Sequence, residues 1–170
     1  MADRPKVAII MGSDSDWPVM ETCYKTLQDL EIPVAVEVIS AHRTPERLRD
    51  FVLSADDQNI AVFIAAAGMA AALPGAVASW TSRPVIGVPL ASGALQGVDS
   101  LLSIVQMPPG VPVATVAVGA PGAKNAALLA VQMLALFDAE IAQVLKKYKR
   151  KQAKLVDEKN QTLQGRLGLV

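Results

Sequence analysis

The sequence contains one cysteine and one histidine, and this scarcity excludes several classes of protein. Because Cys23 has no second thiol in the chain, no internal disulfide can form, which favours a reducing compartment and predicts a cytoplasmic protein. One cysteine and one histidine are too few for a typical structural zinc site, so we expect no bound metal. No run of about 20 apolar residues exists, so no membrane span is expected, and no secretion signal is recognised.

Aromatic residues make up 4% and charged residues 19% of the 170 residues, whereas 52% are hydrophobic. This composition argues against disorder and suits one domain with a substantial core. The 27 alanines allow helices to pack closely. Apolar surface in excess of one core could serve the interface of a homo-oligomer, and a tightly packed monomer is the alternative.

Acidic and basic residues balance at 16 each, but their distribution is uneven. From residue 146 onward the chain carries eight Lys or Arg against two Asp or Glu, whereas the residues before carry eight against fourteen. A basic tail can contact nucleic acid or membrane. Because this one lacks interleaved aromatic residues and a recognised reader motif, we expect a solvated helix face and neither nucleic acid nor membrane as a partner.

Short apolar runs alternate with helical patterns along the chain. Continuous apolar runs predict strands buried in a parallel sheet, at residues 6–11, 34–39, 60–66, 85–88 and 113–118. Prolines and capping residues predict intervening helices, at residues 18–30, 44–55, 74–80 and 95–106, from 124 onward, and from 138 to about 159. Thr44 and Asp138 are expected to cap two of these helices.

The alternation predicts an α/β fold, namely a three-layer, doubly wound, flavodoxin-like sheet of five parallel strands with a C-terminal helical extension. With right-handed crossovers, the expected strand order is 2-1-3-4-5. A single α/β domain, including the C-terminal helix, is expected over residues 1–160, followed by a tail at 161–170 that has no strong pattern.

Ligands of doubly wound sheets bind beyond the carboxyl ends of the strands, so the loops after the first three strands are candidates. In the first loop, Gly12 permits a tight turn. Ser13 and Ser15 stand near a helix N-terminus, where phosphate can be held, and Asp16 could accept bonds from ribose hydroxyls. The same residue types would also suit a simple capped turn.

The second loop contains His42, which is followed by Arg43 and a predicted helix start. A neutral imidazole suits a general base, and a guanidinium fork fits phosphate or carboxylate. A structural histidine and a surface arginine are the alternatives. Ser92 and Lys124 follow later strands and could reach the same cleft, although structural roles are favoured for both.

Three motifs in this order resemble the bacterial 5-(carboxyamino)imidazole ribonucleotide mutases, which are relatives of aminoimidazole ribonucleotide carboxylase. The motifs are Gly12-Ser13-Asp14-Ser15-Asp16, Ser40-Ala41-His42-Arg43-Thr44-Pro45 and Leu73-Pro74-Gly75. Residues 84–89 and 99–112 extend the likeness, which covers about residues 5–145. Three motifs in the right order are far more specific than any one of them.

The resemblance implies a cofactor-free isomerase of de novo purine synthesis that moves a carboxylate from the exocyclic nitrogen to a ring carbon of an imidazole ribonucleotide. It also implies a homo-octamer with active sites near subunit junctions. His42 matches the family's catalytic histidine, and Ser13, Asp16 and Arg43 match nucleotide-binding positions. By position, further substrate contacts are implied for Gly12, Ser15, Ser40, Ala41, Gly68, Ala70, Ala71 and Leu73.

One loop departs from the family pattern, which usually reads Gly-Gly-Ala-Ala-His-Leu-Pro-Gly. Here Met69 replaces the second glycine, Ala72 replaces the histidine, and Ala66 stands where glycine is common. Methionine adds bulk and disfavours a positive φ. The loop therefore implies either a repacked, working pocket, which we favour, or a weakly active homologue.

Other functions are compatible with the same fold. Within the family, direct carboxylation of aminoimidazole ribonucleotide by carbon dioxide is the alternative. A flavin-binding module would need a first loop rich in Thr and Ser, whereas this loop has two aspartates. A phosphorylated receiver domain would need an aspartate at the end of the third strand, where Ala65, Ala66 and Ala67 stand. A catalytically reduced assembly partner is supported by the altered loop alone.

Overall fold

The computed structural model describes residues 6–169 and contains a five-stranded parallel sheet. Its strands are β1 (Lys6–Met11), β2 (Val34–Val38), β3 (Ile60–Gly68), β4 (Val85–Leu90) and β5 (Ala114–Thr115). The order β2-β1-β3-β4-β5 confirms the predicted doubly wound sheet. Residues 1–5 and 170, which the sequence assigned to the start of the domain and the end of the tail, lie outside the described part.

Six α-helices follow or separate these strands. They are α1 (Trp17–Asp29), α2 (Pro45–Leu53), α3 (Leu73–Ala78), α4 (Val98–Val105), α5 (Ala120–Leu134) and α6 (Ala139–Arg166), and a 3-10 turn (Asp14–Asp16) precedes α1. One face of the sheet buries Ala8 and Ile10 against α2, α3 and α4. Alternation along β1 turns Val7 and Ile9, both fully buried, to the opposite face.

The register of the sheet brings the ends of neighbouring strands level with one another. Met11 of β1 pairs with Val38 of β2 on one side and with Ala66 of β3 on the other. Ala66 in turn pairs with Val88 of β4. The chain therefore leaves β1, β2 and β3 at one edge of the sheet, where the loops that follow them meet.

The fifth strand is shorter than predicted. Residues 113–118 were expected to be extended, but only Ala114 and Thr115 pair with β4. Beyond them, the chain still touches β4 through a bond from the Gly119 amide to the carbonyl oxygen of Pro89. Because proline has no N–H, Pro89 cannot donate toward this edge, and the ladder stops.

Two helix starts that look alike in sequence differ in structure. Asp138 caps α6 as predicted, because its Oδ1 accepts from the amides of Glu140 and Ile141 at 2.8 and 3.1 Å. The prediction that Thr44 caps α2 is wrong, since its side chain makes no capping bond. The Thr44 hydroxyl instead exchanges hydrogen bonds with the backbone of Ser40, which fixes the preceding turn.

The described chain divides into two compact units, the first ending at Val131 and the second beginning at Gln132. The second unit contains α6, which continues to Arg166 and so passes the end predicted near residue 159. Leucine, glutamine and arginine are good helix formers, and Gly168, at φ 66°, supplies the left-handed stop that the sequence analysis overlooked. Among residues 6–169, no helix is both long and apolar enough to cross a bilayer.

Candidate functional site

A cavity of about 310 Å³ lies at the carboxyl edge of the sheet. The loops after β1, β2 and β3 line it, as the register of those strands requires. All twelve candidate residues are brought together here, namely Gly12, Ser13, Ser15, Asp16, Ser40, Ala41, His42, Arg43, Gly68, Ala70, Ala71 and Leu73. Met69, Ala72, Ala67 and Ser92 complete the lining.

The loop after β1 is a tight, internally bonded turn. The Ser13 hydroxyl oxygen accepts from the amide of Ser15 at 3.2 Å, and the Asp16 carboxylate accepts from the amide of Ser13 at 3.2 Å. The Ser15 hydroxyl also donates to the Ser13 oxygen at 2.8 Å. The predicted capped turn is therefore present, and its polar side chains also face the cavity.

Burial at this turn raises the pKa of Asp16 above its ordinary value of 3.8. The effect of burial outweighs the backbone hydrogen bonds from Ser13 and Gly12, which lower the pKa, and the nearby carboxylate of Asp14 raises it further. A half-buried carboxyl group held this way is costly to ionise, so it gains from a partner that donates hydrogen bonds.

Arg43 links the second turn to the first. Its Nη2 donates to the carbonyl oxygen of Gly12 at 2.9 Å, while its Nε and amide donate to the Ser40 hydroxyl at 3.4 and 3.2 Å. His42, next to it, is exposed at the cavity. The second turn therefore presents one imidazole and one guanidinium to the same space.

The third loop forms a wall of small residues, and its backbone is strained. Met69 and Ala71 adopt φ values of 52° and 40°, a left-handed conformation that costs a residue with a Cβ roughly 1–2 kcal/mol. The expectation that methionine would avoid a positive φ here is wrong. The Met69 side chain is 58% exposed and lies beside Gly93. A Cβ added at Gly93 would lie 3.6 Å from the Met69 Cγ. The tertiary fold holds this backbone conformation against the local preference of methionine.

The two later residues that the sequence suggested could reach the cleft have different positions. Ser92, two residues beyond β4, lines the cavity, whereas Lys124 is exposed on α5 and is not part of the described lining. The signal for Ser92 was its place just after a strand at the ligand-binding edge of the sheet. Among residues 6–169, no cluster of three or more His, Cys, Asp or Glu side chains could hold a metal ion.

The sequence and the fold of the chain both have counterparts among known proteins. The model of the AIR carboxylase family matches residues 6–155 of the chain. The chain belongs to the AIR carboxylase family. It is 60% identical over 145 residues to the N5-carboxyaminoimidazole ribonucleotide mutase of Pyrococcus abyssi, a match that covers 85% of this chain and 82% of the relative.

Other members of the AIR carboxylase family extend the similarity across bacteria and archaea. The mutase of Mycobacterium leprae is 52% identical, with 96% of this chain and 95% of the relative covered. The crystal structure of Treponema denticola PurE superimposes with a TM-score of 0.86 at 33% identity and covers 94% of this chain and 99% of that one. The likeness is therefore wider than the bacterial group that the sequence motifs suggested.

Proposed function

We propose that this chain is an isomerase of purine biosynthesis that converts 5-carboxyamino-1-(5-phosphoribosyl)imidazole into 5-amino-1-(5-phosphoribosyl)imidazole-4-carboxylate. The observation that carries the proposal is that the first two turns and the small-residue wall line one shared cavity, in a chain 60% identical over 145 residues to a mutase. The sequence motifs resemble bacterial mutases, but N5-carboxyaminoimidazole ribonucleotide mutases of two Pyrococcus species are also similar to this chain. We therefore propose the mutase reaction and not a bacterial origin.

The first two turns supply the groups that a ribonucleotide needs. Ser13 and Arg43 suit the phosphate, because hydroxyl and guanidinium groups donate to its oxygens. Asp16 suits the ribose, since hydroxyl groups can donate to a carboxylate that the fold leaves half-buried. Gly12, Ser15, Ser40 and Ala41 shape the floor between them.

His42 carries the proton transfers in this proposal. The carbamate on the exocyclic nitrogen breaks its N–C bond and releases carbon dioxide, and the electron pair stays with the nitrogen. The electron-rich ring carbon then attacks the trapped carbon dioxide and forms the new C–C bond. The His42 imidazole removes the proton left on that ring carbon and returns a proton to the departing nitrogen, so that no cofactor is consumed.

The wall formed by residues 67–73 keeps the released carbon dioxide in place. Trapping one reactant beside the other raises its effective concentration, which accelerates recapture relative to escape. Small side chains let the wall approach a planar ring closely, and we place substrate contacts at Gly68, Ala70, Ala71 and Leu73. We propose that Met69 leaves the pocket working, because its side chain is mostly exposed beside Gly93.

The decisive experiment compares wild type with His42→Asn, using the carbamate substrate in buffer freed of bicarbonate. Asparagine keeps a polar side chain of similar length but cannot accept and return a proton near neutral pH. The variant should bind the product nucleotide within about threefold of wild type by calorimetry and lose turnover by at least 10²-fold, the lower range for general acid–base catalysis. Full turnover in the variant would overturn the role of His42.

The same assay separates the mutase from its alternative. A mutase consumes the carbamate without bicarbonate, whereas direct carboxylation requires aminoimidazole ribonucleotide and carbon dioxide. Turnover that depends wholly on added bicarbonate would favour the carboxylase. Negligible turnover on both substrates would favour a weakly active homologue, whose cause would lie in the altered loop.

We further propose that the enzyme acts in the cytoplasm as a homo-octamer. Val98, Leu102 and Val105 support self-association, because they line one side of α4 and each is at least half exposed. The family match to residues 6–155 spans both compact units and supports one catalytic domain, which we propose extends over residues 1–160. Light scattering should give the mass of eight chains, and a monomer mass would contradict the proposal.

A further inference from the structure

Ser92 is held at the cavity by its packing against Gly68. A Cβ added at Gly68 would overlap the Ser92 hydroxyl oxygen and lie 3.1 Å from the Ser92 Cβ. The Ser92 amide donates to the carbonyl oxygen of Leu90 at 3.1 Å, which fixes the start of the loop after β4. Within residues 6–169, the hydroxyl itself makes no hydrogen bond to another residue. The fold therefore positions a free donor in the cavity.

The two sides of the cavity differ in their chemistry. The turns after β1 and β2 contribute three serines, one carboxyl, one imidazole and one guanidinium to the lining. Residues 67–73, which also line the cavity, are alanine, glycine, methionine and leucine. Among the described lining residues outside the turns after β1 and β2, Ser92 is the one whose side chain can donate a hydrogen bond.

A carboxylate at this wall needs a donor. If the phosphate and ribose occupy the polar turns, the remaining lining for the ring and its carboxylate is residues 67–73 and Ser92. A carboxylate removed from water without hydrogen bonds is strongly disfavoured. Ala72 stands where the family pattern usually has a histidine, so the loop itself offers backbone groups alone.

We infer that Ser92 binds the carboxylate of the nucleotide and donates its hydroxyl proton as a hydrogen bond to a carboxylate oxygen on the ring. This inference rests on the proposed function and deepens it, because it names the side chain that distinguishes a carboxylated from an uncarboxylated nucleotide. The packing against Gly68 keeps the hydroxyl in place before the ligand arrives.

Calorimetry on Ser92→Ala with two nucleotides tests this. One is 5-amino-1-(5-phosphoribosyl)imidazole-4-carboxylate, and the other is aminoimidazole ribonucleotide, which lacks the carboxylate. A hydrogen bond to a charged group contributes enough to weaken binding of the carboxylated nucleotide about 10–100-fold on removal. Binding of the uncarboxylated nucleotide should change less than twofold. Ser92→Cys keeps an atom over Gly68 but donates only weakly, so it should weaken binding of the carboxylated nucleotide less than Ser92→Ala does.

Ser82→Ala is the matched control. Ser82 is exposed and precedes β4, at the opposite edge of the sheet, so both affinities should equal those of wild type. Unchanged binding of the carboxylated nucleotide to Ser92→Ala would overturn the inference and leave the proposed function standing, as would an equal loss for both nucleotides. Failure of wild type to bind either nucleotide would instead overturn the proposed function and this inference with it.

Discussion

The guanidinium of Arg43 donates a hydrogen bond to the carbonyl oxygen of Gly12 across 2.9 Å, so the turn after β2 is tied to the turn after β1. The two residues are 31 positions apart in the chain and meet because their strands are neighbours in the sheet. Its Nε donates to Ser40 at the same time. Arg43 thus holds the two turns together and also places a positive charge in the lining of the cavity.

From this arrangement we expect Arg43→Lys to bind the product nucleotide at least tenfold more weakly than wild type. Lysine keeps the charge but lacks the planar fork that reaches Gly12 and Ser40 together, and a bond to a charged group contributes about 1.5–3 kcal/mol. Calorimetry measures the loss. Arg47→Lys is the control, because Arg47 is paired with Glu37 outside the cavity. Equal affinities for both variants would contradict the role of Arg43.

A second expectation concerns pH. Because burial raises the pKa of Asp16, its carboxylate is protonated at a higher pH than an ordinary aspartate, whose value is 3.8. As pH falls through that raised pKa, Asp16 loses its capacity to accept from two ribose hydroxyls, and kcat/KM falls. The measurement is the pH dependence of kcat/KM for wild type and for Asp16→Asn. Dividing the first by the second removes the effect of substrate titration, which is the same in both assays. The midpoint of this ratio should lie above 3.8.

Asp14→Asn sharpens the same measurement. The Asp14 carboxylate raises the pKa of Asp16, so removing that charge should move the midpoint to lower pH. A midpoint below 3.8 in wild type, or an upward shift in Asp14→Asn, would be inconsistent with the burial of Asp16 described here.

Much of the fold follows from the sequence, and the reasons are local. Continuous apolar runs place β1 correctly because a strand buried on both faces leaves no room for polar side chains. The shortness of β5 could not be seen the same way, since it depends on Pro89 of the neighbouring strand. The role of Thr44 could not be predicted locally either. Its hydroxyl could bond the first turn of α2 or the backbone of Ser40, and the structure shows the bond to Ser40.

The site was predictable where its residues cluster in motifs and less so elsewhere. The turns containing Asp16 and His42 lie next to strand ends, so topology alone brings them together. Ser92 is a single serine without a motif, and only the structure shows that it packs against Gly68 and lines the cavity. The left-handed backbone at Met69 was missed because methionine has no preference for it.

That backbone provides the third expectation, which compares Met69→Gly with Met69→Ala. Glycine removes strain of roughly 1–2 kcal/mol but gains freedom in the unfolded chain, so a net stabilisation of about 0.5–1 kcal/mol should raise the melting temperature by about 1–4 °C. Alanine keeps its Cβ and therefore the strain, so it should not stabilise. Calorimetric melting distinguishes the two variants.

Turnover of the same variants reports on the pocket. Because the methionine side chain is mostly exposed, both should turn over the carbamate substrate within about twofold of wild type. A large gain in both variants would show that side-chain bulk restricts the site. A gain in Met69→Gly alone would show that the strained backbone does.

The wall of residues 67–73 also bears on how this site could be redesigned. Its inner surface consists largely of backbone and single methyl groups, and Gly68 has no room for a side chain because Ser92 occupies that space. Shortening its alanines is therefore not an available route to new specificity, and enlarging them fills the cavity. A protein engineer has adjustable positions at 69, 72 and 92, where a side chain can change while the sheet edge behind it stays fixed.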